Sequence, residues 1–160
     1  SQGGVDYHPM LGYNFKFTDL QAVVGIEQMK KLSWRVERKK EIFRLYQEML
    51  ADLEKVGIVP TNLNDTSPWF IDILVEPSRR EGLMQSLKQN GVGSRPFYPA
   101  IHTQPPYAHV EGNFPNSAEV SQQGVWLPSS SFLTDDDIRH VCQGIRDFFD
   151  GAAGASRMAS

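Results

Sequence analysis

The chain has 160 residues, enough for one ordinary domain with a real core, and its 40% apolar and 22% charged content is that of a soluble globular protein. A net charge of −3 argues against nucleic acid or an acidic membrane as the main partner. A single cysteine, Cys142, excludes an internal disulfide; among apolar positions of an expected helix it reads as a buried structural thiol. No run approaches the ~18 apolar residues of a membrane span and no signal-peptide pattern opens the chain, so the expected location is cytoplasmic.

Residues 1–17 read as an extended segment. Thr18 then opens a helix with a capping box, its hydroxyl accepting from a first-turn amide while Gln21 reaches back to the cap. The helix is expected to run to about Leu32. Its apolar residues, Leu20, Val23, Val24, Ile26, Met29 and Leu32, fall all around the wheel, the pattern of a helix covered on several sides.

A longer helix is expected from about Ser33 to Val56, with Ile42, Leu45, Tyr46, Met49, Leu53 and Val56 as one stripe and Gly57 as its C-cap. The basic run Arg35 to Lys40, interrupted by Glu37, reads as a solvated face of this helix. Residues 62–68 form a turn-rich connector, and Trp69 to Val75 reads as a strand. Ser78 with Glu81 makes a second capping box, opening a helix to about Asn90, and Gly91 to Gly93 lead into a short strand from Ser94 to Phe97.

A loop rich in proline and aromatic residues spans Tyr98 to Phe114, a short helix starts at Asn116 or Ser117, and Val125 to Leu127 is a third strand. Trp126, between apolar neighbours, is expected in the core. Thr134 with Asp137 caps a last helix carrying Ile138, Val141, Ile145, Phe148 and Phe149. Residues 151–160 lack periodicity and read as a flexible tail or fusion scar.

The fold class is therefore α+β: two amino-terminal helices, then a small three- to four-stranded sheet with helices on one face. Residues 18–150 form the helical linker and this domain. His8, His109 and His140 lack metal-ligand spacing, so no metal site is expected.

Three segments in order carry a family resemblance: Tyr7 to Ala22, with Gly12-Tyr13-Asn14-Phe15-Lys16-Phe17-Thr18-Asp19-Leu20-Gln21 at its heart; Arg95 to Tyr107; and Phe114 to Glu119 together with Trp126 to Ser130. The chain resembles the DegT/DnrJ/EryC1/StrS sugar-nucleotide aminotransferases over roughly Tyr7 to Phe149. These are dimeric pyridoxal phosphate enzymes of the aspartate-aminotransferase fold. The resemblance covers their carboxy-terminal portion and implies the small domain of that fold, preceded by the helices that join it to the large one.

By position in those motifs, Asn14 matches the asparagine that reaches the cofactor phosphate of the partner subunit. Lys16 stands where the family usually has arginine, a cation without the flat two-point fork. Arg95, Tyr98 and His102 match the loop bordering the sugar-nucleotide pocket: arginine for a diphosphate, and imidazole for a sugar hydroxyl. For Phe97 and Tyr98 the alternative is a satellite core pinned by Pro96, Pro99, Pro105 and Pro106.

No lysine of the chain matches the family's Schiff-base motif, Lys16 included, and the acid for the pyridine nitrogen and the stacking aromatic belong to the family's large domain. The expectation is a carboxy-terminal part of an aminotransferase acting on a keto-sugar nucleotide, inactive alone, with no covalently bound pyridoxal phosphate and no catalytic residue of its own. The alternatives are a non-catalytic sugar-nucleotide-binding or oligomerisation module, or a folded gene remnant. A homo-oligomer built through the Thr18–Val56 helices is expected, because a large exposed apolar surface is rarely tolerated in a soluble monomer.

Overall fold

The computed structural model describes residues 13, 15–107 and 109–157, with side chains to residue 151. The chain divides into two compact units, residues 1–33 and residues 34–160. Described elements of the first are helix α1, Asp19–Met29, and the start of α2, Leu32–Leu50. The Thr18 capping box forms as the sequence leads one to expect, Gln21 N donating to Thr18 Oγ1 at 3.3 Å and Thr18 N donating to the Gln21 side chain at 3.0 Å. No residue of α1 is buried: Leu20 is 78% and Met29 66% exposed.

The second unit is built around a four-stranded antiparallel sheet of β1, Val56–Ile58; β2, Ile71–Val75; β3, Arg95–Pro96; and β4, Gly124–Leu127, in the order β1-β2-β4-β3. Helices α3, Pro77–Gln89; α4, Pro115–Gln123; and α5, Asp135–Arg157 complete the fold. The architecture is α+β.

Strict alternation decides which side chains meet. Ile71, Ile73 and Val75 of β2 are buried, as are Val125 and Leu127 opposite them on β4. Against this face α2 sets Ile42, Phe43, Tyr46 and Leu50, α3 sets Leu83 and Leu87, and α5 sets Ile138, Val141, Cys142, Ile145 and Phe149. Burial pushes the Cys142 thiol up to about 11, so it stays protonated and inert at neutral pH. The fully buried Tyr46 hydroxyl donates to Pro128 O at 3.0 Å, tying α2 to the segment after β4. Arg146 joins α5 to the end of α2 through Met49 O and Asp52.

Several elements differ from the sequence expectation. The second helix ends at Leu50 rather than Val56, and Val56 and Gly57 belong to β1, a strand the helical spacing concealed. Val56 lies three residues beyond Leu53 and so prolongs the helical stripe by coincidence. Pairing with Val75 and Leu74 overrides that periodicity. Gly57 is thus a strand residue and caps no helix.

Ser78 and Glu81 do not form a capping box. Helix α3 starts at Pro77, whose missing N–H is no loss in a first turn, and Ser78 Oγ instead donates to the Glu76 carboxylate. The helix ends where expected, at Asn90, and Gly91 follows with φ +76°, a conformation costly for any other residue. The Thr134 box is present, with Asp137 N donating to Thr134 Oγ1 at 3.1 Å and Thr134 N to Asp137 Oδ2 at 2.8 Å. Helix α5 continues past Asp150 to Arg157, into the segment expected as a tail, because alanine carries helix through the glycines around it.

The basic run on α2 is not simply solvated. Arg38 pairs with Glu41 and with Asp135, at 3.1 and 2.8 Å, and donates to Leu133 O. Lys39 is half-buried, and loss of water around its ammonium lowers its pKa from the ordinary lysine value.

Candidate functional site: an aromatic cleft beside the sheet

The second face of the sheet carries Asp72, Leu74, Trp126 and Arg95, because Asp72 and Arg95 both stand opposite Trp126 in the strand register. Trp126 is therefore not a core residue as its apolar neighbours suggested. Alternation sends Val125 and Leu127 inward and turns the indole to the other side, where it is half-buried and lines a cleft of about 540 Å3.

Around Trp126 the rings close up. Phe70 stacks on it at 4.6 Å, Phe97 lies at 5.2 Å, and Tyr98 meets it edge-on at 4.8 Å. Beyond Tyr98 the cleft is walled by Ile101, His102, Tyr107 and Phe114, and by Ser117 and Ser121 of α4. Helix α4 has no buried residue and serves this wall instead of the core.

The loop from Pro99 to Tyr107 is shaped by two short 3-10 turns, Ile101–Thr103 and Pro105–Tyr107. Thr103 N and Oγ1 both donate to Ala100 O, at 2.9 and 2.7 Å, and Tyr107 N donates to Gln104 O at 2.9 Å. These bonds set His102 against Phe114, ring centroids 4.9 Å apart. Gly124 completes the arrangement: an added Cβ would lie 2.1 Å from Phe97 Cγ, so the ring rests directly on the strand backbone.

Tyr98 and His102 thus line one cleft, with Tyr98 66% exposed rather than packed away as a satellite core residue. Arg95 is exposed on β3, across the strand from Trp126, but is not part of the cleft wall. Lys16 lies in the first unit, and Asn14 lies outside the described residues.

Two residues of this face escaped the sequence reading. Phe70 was legible only as one residue of an apolar strand. Asp72 was a lone acid in that strand, and this alone could have flagged it. One carboxylate oxygen of Asp72, Oδ1, is buried without a hydrogen-bond partner. Burial pushes its pKa above the usual carboxylate value, a rise the Trp126 indole partly offsets. A carboxyl whose folded pKa is raised takes up a proton on folding. Its penalty is absent below the ordinary value of 3.8, grows as pH rises through the raised folded value, and is complete above it. Asp72→Asn is therefore expected to stabilise the protein at pH 7 by a fraction of a kcal/mol, the group's partial exposure keeping the gain small, and the gain vanishes towards pH 4. Urea unfolding of both proteins at several pH values checks this; a gain that grows as pH falls contradicts it.

Chemically the cleft offers apolar ring faces with a few hydroxyls and one imidazole. A set of this kind can take the C–H face of a sugar and bond its hydroxyls, as in mostly apolar pockets with a few placed polar groups. It contains no lysine, arginine or carboxylate among its lining residues. Among the described residues no cluster of His, Cys, Asp or Glu could hold a metal ion, and no helix is long and apolar enough to cross a membrane.

An α+β domain with an open aromatic cleft on the sheet face opposite its core is the class this geometry defines. A sequence model of the DegT/DnrJ/EryC1/StrS aminotransferase family matches residues 2–146, and the chain belongs to that family. It is similar to a GDP-perosamine synthase of Vibrio cholerae, 32% identical in an alignment 148 residues long that covers 89% of this chain and 40% of the relative. A GDP-perosamine synthase of Escherichia coli O157:H7 is 26% identical, over 89% of this chain and 39% of its own. Among solved structures, a DegT DnrJ EryC1 StrS aminotransferase from Brucella abortus superposes with TM-score 0.79 at 25% identity, over 91% of this chain and 39% of that one. The aminotransferase TlmJ from Streptoalloteichus hindustanus, at 23% identity and TM-score 0.77 over 84% of this chain and 37% of its own, shows the same fold. The chain spans about 40% of the length of the curated relatives it matches.

The family is pyridoxal phosphate-dependent. The residues of the cleft do not fit that group: none can bond its aldehyde as lysine does, and none can pair with its pyridine nitrogen as a carboxylate does. Lys39, the lysine with a lowered pKa, is instead committed to Trp69 O and Ser129 Oγ.

Proposed function

We propose that this chain is the carboxy-terminal, substrate-holding part of a pyridoxal phosphate-dependent aminotransferase that transfers an amino group to a keto-sugar nucleotide. The observation that carries the reading is the cleft in which Tyr98, His102 and Trp126 meet. Trp126 and Tyr98 take the apolar face of the sugar, His102 bonds a hydroxyl, and Arg95 on the neighbouring strand pairs with the diphosphate. The family motif further assigns Lys16 to the substrate and Asn14 to the cofactor phosphate of a partner subunit. The family membership and the similarity to GDP-perosamine synthases support a nucleoside diphosphate sugar as ligand.

The cleft lining supplies neither the lysine nor the acid that the chemistry needs, and no lysine of the chain matches the family's Schiff-base motif; on this reading the 160 residues bind the sugar nucleotide in the cytoplasm without completing the transfer. Borohydride treatment with added pyridoxal phosphate is expected to trap no stoichiometric adduct at one particular lysine, only the scattered labelling that exposed lysines give with any aldehyde. For binding, calorimetry with a GDP-hexose and a UDP-hexose is expected to give a dissociation constant weakened roughly tenfold by Arg95→Ala, the loss of one charge-assisted contact. His102→Ala is expected to weaken it less. Unchanged affinity in both variants sinks the assignment of this cleft.

A second reading rests on a different observation, the exposed apolar residues of α1. A helix with no buried residue and apolar groups on every side is a surface for association, and homo-oligomerisation through α1 accounts for it. Sedimentation of a monomer at micromolar concentration counts against it.

A further inference from the structure

Three rings lie nearly parallel at the edge of the cleft. Trp126 stacks on Phe70 at 4.6 Å with 20° between planes, and Phe70 stacks on Trp69 at 5.8 Å with 16°. The inner end of this ladder lines the cleft; the outer end, Trp69, is 79% exposed. Its backbone is nevertheless fixed. Lys39 Nζ and Ser129 Oγ both donate to the Trp69 carbonyl, and Lys39 also donates to Ser129 Oγ at 3.0 Å. A chain-anchored indole at the open end of a stack is a preorganised flat surface, and little side-chain freedom is lost when something settles on it.

We infer that Trp69 is the stacking platform for the nucleobase of a nucleoside diphosphate sugar, an inference that rests on reading the cleft as the sugar site. The tilt of the rings favours a flat heteroaromatic occupant, since each ring of the ladder presents its face to the next. The ladder is continuous with the cleft, two ring-to-ring steps away, a separation suited to a diphosphate linker. Positive charge lies on the same side: the Lys39 ammonium beside the Trp69 carbonyl and, one turn earlier on the same face of α2, Arg35, whose Nε is buried with no hydrogen-bond partner.

The chain has three tryptophans, Trp34, Trp69 and Trp126, so each indole N–H can be followed separately by NMR after assignment with single Trp→Phe variants. GDP and UDP are expected to shift the Trp69 signal and leave Trp34 in place, while a hexose 1-phosphate shifts Trp126 and not Trp69. Trp69→Ala is expected to weaken a GDP-hexose roughly ten- to hundredfold, with Trp69→Phe recovering most of it and the hexose 1-phosphate unaffected. The Trp34 and Trp126 signals of the alanine variant report that it is folded. A GDP-hexose that shifts Trp126 and binds Trp69→Ala as tightly as the parent overturns the inference and leaves the sugar cleft standing. Nucleotides that shift Trp69 while no sugar shifts Trp126 do the reverse. Silence at both indoles, or a Trp69 signal that moves only with protein concentration, overturns the platform.

Discussion

Gly124→Ala is expected to destabilise the protein by about 1–3 kcal/mol, the usual cost of forcing atoms into a packed site, and to abolish the sugar-nucleotide binding proposed for the cleft. The added methyl would stand 2.1 to 2.4 Å from three atoms at the base of the Phe97 ring. The base of a ring cannot swing aside as a flexible tip can. Phe97 must leave its rotamer or β4 must shift, and Phe97 N donates to Gly124 O at 3.0 Å, so the backbone is held at the same point. Displacing Phe97 also frees Trp126, which it touches at 5.2 Å, and through Trp126 the Tyr98 edge contact. The double variant Gly124→Ala with Phe97→Ala should lose clearly less than the sum of the single losses, since one mutation makes the room the other requires. Urea unfolding measures all four proteins; additivity within 0.3–0.5 kcal/mol, the range for independent sites, would show that the contact carries no strain.

Much of the core was legible because periodicity and capping agree there. The Thr18–Gln21 and Thr134–Asp137 boxes, the stripe of Ile42, Tyr46 and Met49, and the alternation in Ile71 to Val75 each follow from local chemistry that the tertiary structure does not oppose. Val56 shows where such reading fails. Its spacing satisfies a helix, and only the long-range pairing with Val75 makes it a strand. Ser78 shows a second limit, because the pattern of a capping box is present but Pro77 sets the helix start two residues earlier.

The site was harder to read than the core, for a related reason. Tyr98 and His102 could be placed together from the loop motif, and they do share the cleft. Trp126 looked like core because a strand hides which of its two faces is packed until the partner strands are known. The single glycine before Val125 is the local clue that one side is reserved for a close approach. Asp72 follows from the same register: a carboxyl opposite Trp126 is placed by pairing across β2 and β4, not by its own neighbours in sequence.

Trp126→Ala is expected to be the most damaging single change on this face, costing about 3 kcal/mol, the low end for removing a tryptophan because the ring is half-buried. Three aromatic neighbours, Phe70, Phe97 and Tyr98, lose their common partner. Asp72 loses the indole that moderates its raised pKa, although water entering the space left behind hydrates its carboxylate. Two further variants separate these effects. Trp126→Phe keeps a ring in the stack but removes the indole N–H, so it should retain most of the stability and respond to pH more steeply than the parent. Adding Asp72→Asn to Trp126→Phe should remove that steeper response, because no ionisable group then remains to miss the indole. Thermal and urea unfolding between pH 4 and 8 provide the comparison. If Trp126→Ala stays within 1 kcal/mol of the parent, the ring cluster is a surface ornament and the cleft has no fixed floor. If the loss is large but Trp126→Phe titrates like the parent, the indole holds the cleft by packing alone, and Asp72 has no part in placing it.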